Sequence, residues 1–229
     1  MIRPVTLEDA AVIADIYNYY IVNTAISFEE ILITPLEMEN RIRNVTSKFP
    51  WLVAEENGVI EGYAYLSTWK ERAAYRHTAE VSIYLRFGSE GRGIGSMLLK
   101  RLLKENEKSG IHVLIASITL PNLRSVALHE KFGFKKVGHF HEVGFKMNQW
   151  VDVGNWELVL GRSKYNNLWK YIQQSGNKSL KLSFDEIKNI AGIDIDHSFL
   201  NYKKELLQYG YQAGKISLKE KTVEFNKID

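Results

Sequence analysis

Cysteine is absent from the 229 residues, which excludes a disulfide framework, a cysteine nucleophile and cysteine-ligated zinc. Also absent is any apolar run approaching the roughly twenty residues that a helix needs to cross a bilayer. The start, Met1-Ile2-Arg3-Pro4, reads as the opening of a strand rather than as a signal peptide. These absences point to a soluble, cytoplasmic protein with no membrane partner. A strong charge of one sign is missing too, the net value being +3. The balance is uneven, however, because residues 161–229 hold 12 Lys and Arg against 8 Asp and Glu. Two phosphate-binding signatures are also lacking: no Lys-Ser/Thr pair follows the glycines of the central turn, and their spacing is not G-x-G-x-x-G.

What is present is length enough for one sizeable core with a small appended module. The most informative stretch runs from Thr78 to Gly110. Ala79, Val81, Ile83 and Leu85 alternate with Glu80, Ser82 and Tyr84, the period of a strand with one buried face. Gly91-Arg92-Gly93-Ile94-Gly95 follows, and then Met97, Leu98, Leu99, Leu102 and Leu103 recur at helical spacing. Strand, glycine-rich turn and helix in that order can fan backbone N–H groups around an anion at a helix N-terminus. Taken alone, the same glycines also read as an ordinary connection.

Three segments in order carry a more specific message: Glu80-Val81-Ser82-Ile83-Tyr84, the glycine turn, and Pro121-Asn122-x-x-Ser125-Val126-Ala127-Leu128-His129-Glu130-Lys131-Phe132-Gly133-Phe134. Together they resemble the GNAT superfamily of acetyl-CoA-dependent N-acetyltransferases, and within it the phosphinothricin and methionine sulfoximine acetyltransferase branch, from Ile2 to about Leu160. The resemblance implies an α/β (α+β) fold with a mixed, mostly antiparallel sheet flanked by helices, a homodimer, and a small-molecule amine as acceptor. It implies acetyl-CoA held by the backbone of Val81, Ser82 and Ile83 along the pantetheine arm. The amides of Gly91, Arg92, Gly93, Ile94, Gly95 and Ser96 would take the pyrophosphate, with Asn122 and Ser125 at the pantetheine or phosphate end. Glu90 departs from the pattern, which has Arg or Gln there, and Arg92 is the residue available to offset its charge.

Around this centre, Thr6 to Asp9 reads as a helix cap ahead of Ala10, Ile13, Ile16 and Tyr17. A second helix begins after Thr34-Pro35 with Leu36, Met38, Ile42 and Val45 as its apolar positions. Asn57-Gly58 between apolar runs is a hairpin signal. The segment His112–Ile118 reads as a strand, Asn122 as a helix start, and 134–145 and 150–160 as closing strands. By resemblance Phe28, Arg72, Tyr75 and Lys146 hold the acceptor, an arginine being suited to fork onto a carboxylate. From the residues alone, Phe28 also reads as a packing aromatic, and Arg72 and Lys146 as solvated charges.

A primary amine is mostly protonated at neutral pH and must lose a proton before it attacks the thioester. The resemblance makes Glu80 the base and gives His129, which replaces the superfamily's usual tyrosine, a part in proton transfer. On the residues alone, Glu80 also reads as half of a cross-strand pair and His129 as a packed bystander. Domains are expected at 1–161 and 162–229, the boundary falling at Arg162-Ser163-Lys164-Tyr165. The second would be a small α+β module: a helix around Leu168, Trp169 and Ile172, a capping box at Ser183-Phe184-Asp185-Glu186, a helix near Ser198–Tyr209, and strands 211–218 and 222–225. Its basic excess leaves open nucleic-acid binding, dimerisation or a lid. The function expected is therefore acetylation of a small amino acid or analogue; the alternative is a ligand-sensing or nucleic-acid-binding regulator working through the second domain.

Overall fold

The computed structural model describes residues 1–106, 109–160, 165–197 and 199–228. The expected boundary at 162–164 and helix start at Ser198 lie outside the described residues. The chain forms two compact units, one through Leu160 and one after it. No helix among the described residues is long and apolar enough to cross a membrane.

In the first unit, β1 (Ile2–Pro4), α1 (Ala10–Asn23), α2 (Pro35–Thr46), β2 (Trp51–Glu56), β3 (Val59–Thr68), β4 (Thr78–Leu85), α3 (Ile94–Asn106), β5 (Val113–Leu120), α4 (Leu123–Lys131), β6 (Lys135–Lys146) and β7 (Gln149–Val159) follow in order. The seven strands make one sheet in the order β1-β2-β3-β4-β5-β7-β6, in which only β4 and β5 run parallel. Local chemistry explains the starts and turns. Thr34 caps α2 by accepting from the Glu37 amide, with Pro35 in the first turn. The β2–β3 turn puts Asn57 and Gly58 at φ +51° and +78°, which an Asn-Gly pair tolerates.

Strand alternation divides the core. Leu52, Ala54, Ala64, Leu66, Ala79 and Val81 pack with Leu98, Leu99 and Leu102 of α3. Trp51, Val53 and Tyr63 face Ile13, Ile16 and Tyr17 of α1 and Met38 and Ile42 of α2. Leu36, expected in the apolar stripe of α2, is instead two-thirds exposed. It sits in the first turn, two residues beyond the Thr34 cap, and leaves Met38 and Ile42 to bury that helix.

The second unit contains α5 (Asn166–Ser175), β8 (Ser179–Ser183), α6 (Phe184–Ala191), α7 (Phe199–Tyr202), β9 (Tyr211–Ser217) and β10 (Thr222–Lys227). Its sheet runs β8-β10-β9. The core includes Leu168, Trp169, Ile172, Ile187, Leu206, Val223 and Phe225. The Ser183–Glu186 capping box forms as expected. Strand β8 was not expected, because Leu180 and Leu182 alone give its five residues their period. The long helix expected at 198–209 is instead a short α7 followed by a 3-10 helix, Lys203–Tyr209.

Candidate active site

The site begins with a fork. β4 is paired with β3 from Ala79 to Leu85, and β5 with β7 from Val113 to Leu120. Between β4 and β5 the ladder lasts only from Thr78↔Val113 to Glu80↔Ile115. Beyond Glu80 the two strands part, so the β5 side of Val81–Leu85 has no ladder partner, and backbone polar groups left without partners are strong binding groups. A cavity of about 710 Å³ fills the fork. Its walls include Val81, Ser82 and Ile83 from β4, Ser117 from β5, the glycine turn, and Asn122, Ser125 and His129 of the α4 segment.

At the mouth, Gly91 and Gly93 hold φ of +80° and +81°, values that favour glycine, and a Cβ on either would meet nothing within 4 Å. The turn is thus open toward the cavity and leads into the N-terminus of α3, where backbone amides and partial positive charge favour an anion. Glu90 lines the cavity, its carboxylate accepting from the Gly88 amide at 3.0 Å. Arg92 does not offset it: its guanidinium is bound to Glu56 and, at 3.3 Å, to Glu61 on the β2–β3 hairpin. The turn therefore has only the main chain of Arg92 to use. Arg124 and Lys131, not singled out from the sequence, add cationic side chains to the α4 wall.

Glu80 stands at the last paired position, with Ser67 opposite it on β3 and Ile115 on β5. Tyr65, next along that face, stands opposite Ser82, and burial raises the pKa of its hydroxyl. Tyr65 and Ser67 line the cavity but carry no signal in the sequence, because the register of β3 on β4 is set across an irregular loop.

On α4, Asn122 caps the helix by accepting from the Ser125 amide at 3.1 Å. One turn on, His129 is 4% exposed. Its Nδ1 lies 2.8 Å from the Ser125 carbonyl, which can only accept, so Nδ1 carries the proton. Nε2 is then a bare acceptor, buried and without a partner. Burial lowers the pKa of the imidazole, opposed by the hydrogen bond to Ser125, so the ring is neutral at pH 7.

The four expected acceptor residues lie outside this cavity's lining. Phe28 is partly exposed and its ring occupies the space over Gly144 where a Cβ would stand. Its loop is tightly held. Tyr17 bonds Ser27 and Glu29 at 2.9 Å each, and Arg41 forks onto Glu29 at 2.7 and 3.0 Å. Lys146 is buried and donates to the Ser27 carbonyl at 2.5 Å. Burial lowers its pKa, while Glu30 and Glu29 act in the other direction. Lys146 therefore anchors the Phe28 loop. Arg72 is exposed at the start of a 3-10 turn, and Tyr75 packs edge-on to Trp69 at 5.1 Å. A second cavity of about 350 Å³, lined by Thr24, Pro121 and Trp150 among others, shares Ile26 and Thr119 with the first.

Acetyl-CoA fits the main cavity on this chain's own groups. The free edge of β4 suits a chain of amides, as in strand addition, and the glycine turn with the α3 terminus suits a diphosphate. The orphaned Nε2 of His129 supplies a proton acceptor in the same wall.

Comparison with known proteins agrees with this geometry. Residues 2–154 match the family model for the acetyltransferase (GNAT) domain. Over 156 residues the chain is 40% identical to a phosphinothricin N-acetyltransferase of Streptomyces viridochromogenes, covering 68% of this chain and 85% of that protein. It is 34% identical to an L-methionine sulfoximine/L-methionine sulfone acetyltransferase of Salmonella typhimurium, covering 69% and 94%. Among solved structures, a GNAT superfamily phosphinothricin acetyltransferase of Sinorhizobium meliloti in complex with acetyl-CoA superposes with a TM-score of 0.68 at 34% identity, covering 70% of this chain and 88% of that one. With a forked sheet, a glycine turn and a match spanning nearly all of the first unit, the chain belongs to the GNAT family and is an acetyl-CoA-dependent N-acetyltransferase.

Proposed function

We propose that the chain acetylates the primary amine of a small amino acid or amino-acid analogue of the phosphinothricin or methionine sulfoximine type, by direct attack of the amine on the thioester carbon. The observation that carries this is the pairing of Glu80, at the apex of the fork, with the bare Nε2 of His129 in the wall of one cavity. Two protons must leave an ammonium before it becomes an amide, and one must reach the departing sulfur. Glu80 takes the first, directly or through water, and passes it to solvent. As the C–N bond forms and the C–S bond breaks, Nε2 of His129 accepts the second and returns it to the thiolate. A neutral imidazole suits this order, since it must accept before it can donate. The main chain of Val81–Ile83 and of the turn at 91–96, together with Asn122 and Ser125, holds the donor.

The acceptor side is supplied by Phe28, Arg72, Tyr75 and Lys146, the last acting through the loop it anchors. In one chain these residues lie outside the cavity, and we infer that a second copy completes the site. Phe140, Phe145 and Trp150, all more than half exposed on the β6–β7 arm, are the surface offered for that homodimer; light scattering that finds only monomer at micromolar concentration would refute it. The remainder, 162–229, is taken as a small accessory domain, and the protein as cytoplasmic, where acetyl-CoA is available.

The test is thiol release from acetyl-CoA with phosphinothricin, methionine sulfoximine and a panel of amino acids. At least one should support turnover, and Glu80→Gln should lower it by about 10²–10⁴-fold with coenzyme binding retained. Absence of thiol release across the panel, or full turnover in Glu80→Gln, contradicts the reading.

A further inference from the structure

Strand β6 is broken opposite Asp152: its ladder with β7 runs to Phe140↔Val153 and resumes at Gly144↔Val151. Within the bulge the Glu142 amide donates to Asp152 Oδ1 at 2.8 Å. The other oxygen, Oδ2, is met by two imidazoles, His139 Nε2 at 2.7 Å and His141 Nδ1 at 3.3 Å. The rings lie stacked with centroids 4.2 Å apart on an exposed stretch of strand. One candidate ligand atom from each of the three side chains lies within 4.8 Å of the others. An ion with bonds of about 2.1 Å in tetrahedral geometry holds its donors roughly 3.4 Å apart, so small side-chain rotations close the set.

We propose that His139, His141 and Asp152 bind a divalent transition-metal ion of the zinc, nickel or copper class. Two imidazole nitrogens and a carboxylate suit these ions rather than magnesium or calcium, which take oxygen ligands. Solvent fills the remaining positions, and the ion clips β6 to β7 on the strand that ends at Lys146. One feature opposes binding. Lys136 Nζ lies 3.3 Å from His139 Nδ1, the nitrogen that must carry the proton once Nε2 binds metal. The exposed ammonium therefore has to swing away, and removing it should favour the ion.

The untagged full-length protein is titrated with zinc chloride alone, by calorimetry and in competition with a chromogenic chelator. One ion per chain is expected, with affinity weakened roughly tenfold or more in His139→Ala and in His141→Ala, and tightened in Lys136→Met. Imidazole NMR of the wild-type chain should show the resonances of His139 and His141 moving together, which keeps the test independent of how the variants fold. Equal binding by wild type and the His139→Ala/His141→Ala double variant, or zinc that leaves both imidazoles unmoved, overturns the proposal.

Discussion

Replacing His129 by Leu should leave the protein as stable as before or slightly more so, while removing most of its activity. In the native chain Nε2 is buried without a partner, a situation that costs about 1–3 kcal/mol. Leucine removes that cost. It also removes the Nδ1–H bond to the Ser125 carbonyl, a contribution of about 1 kcal/mol, and the edge contact with Phe134 at 5.0 Å, worth about 0.5 kcal/mol. The balance is roughly neutral to about 1 kcal/mol stabilising. Turnover should fall by about 10²-fold or more if Nε2 carries a proton. Urea melts at pH 7.5 without ligand and thiol-release kinetics measure the two quantities. A packing role makes the opposite forecast, a loss of stability with activity retained, and a loss above about 1.5 kcal/mol would refute the reasoning. The pH dependence supplies a second check. Because burial holds the folded pKa below 6.5, the unfolded chain binds more protons in the interval between the two values. The wild type therefore loses stability as pH falls from about 6.5 through the folded pKa. The leucine variant lacks that limb, so the gap between the proteins should widen in its favour on acidification.

Three further outcomes follow from the geometry. Gly93→Ala places a side chain at φ +81°, a strain of about 1 kcal/mol that should lower Tm by about 2–4 °C; the new Cβ stands in the open space of the turn, so calorimetry should also show several-fold weaker acetyl-CoA binding. Gly144→Ala drives the Phe28 ring from its seat; the partly exposed ring can swing out, so the KM of the acceptor should rise while that of acetyl-CoA and the melting temperature stay near wild type. Asp9, whose carboxylate is pushed up by burial but held low overall by Arg3 and Thr6, is bound by Arg3 through two bonds of 2.7 and 2.8 Å. Asp9→Asn should cost about 2 kcal/mol at pH 7, and the deficit should shrink as pH falls from about 4 through the lower native pKa, because the unfolded carboxylate takes up its proton before the native one does; a deficit unchanged down to pH 3 would exclude the charge as its cause.

What could be read from the sequence was what is local. The alternation of Ala79–Leu85, the glycines at 91, 93 and 95 and the leucine spacing of α3 each depend on near neighbours, and all three formed. The capping box at Ser183–Glu186 and the Asn57-Gly58 turn are of the same kind. Long-range pairing was illegible. Arg92 looks in sequence like a partner for nearby Glu90, yet its guanidinium finds Glu56 and Glu61, some thirty residues away, because the hairpin passes beside the turn. Lys146 looks like a strand lysine facing solvent, but a bulged β6 carries it under the Ser27 carbonyl. The lining residues Tyr65 and Ser67 become visible only when β3 is laid against β4 in its observed register.

The fork itself is a property of the sheet, and the chemistry depends on which residue falls at its apex. β4 is committed to an antiparallel partner from Ala79 to Leu85, and β5 to another from Val113 to Leu120. Strands twist relative to their neighbours, and here the parallel ladder between the two closes over Thr78–Glu80 only. A cleft therefore opens after the third pair whatever side chains are present, with a free strand edge on one wall and a helix N-terminus at its mouth. Side-chain direction reverses at every residue, so sliding β4 by one position would turn Glu80 away from the face it shares with Ser67 and Tyr65 and put an apolar neighbour in its place. The glycine turn would survive such a slip and the carboxylate would not. Donor binding should accordingly tolerate lengthening of the 69–77 loop, whereas acetyl transfer should fail with any change that shifts β4 against β3.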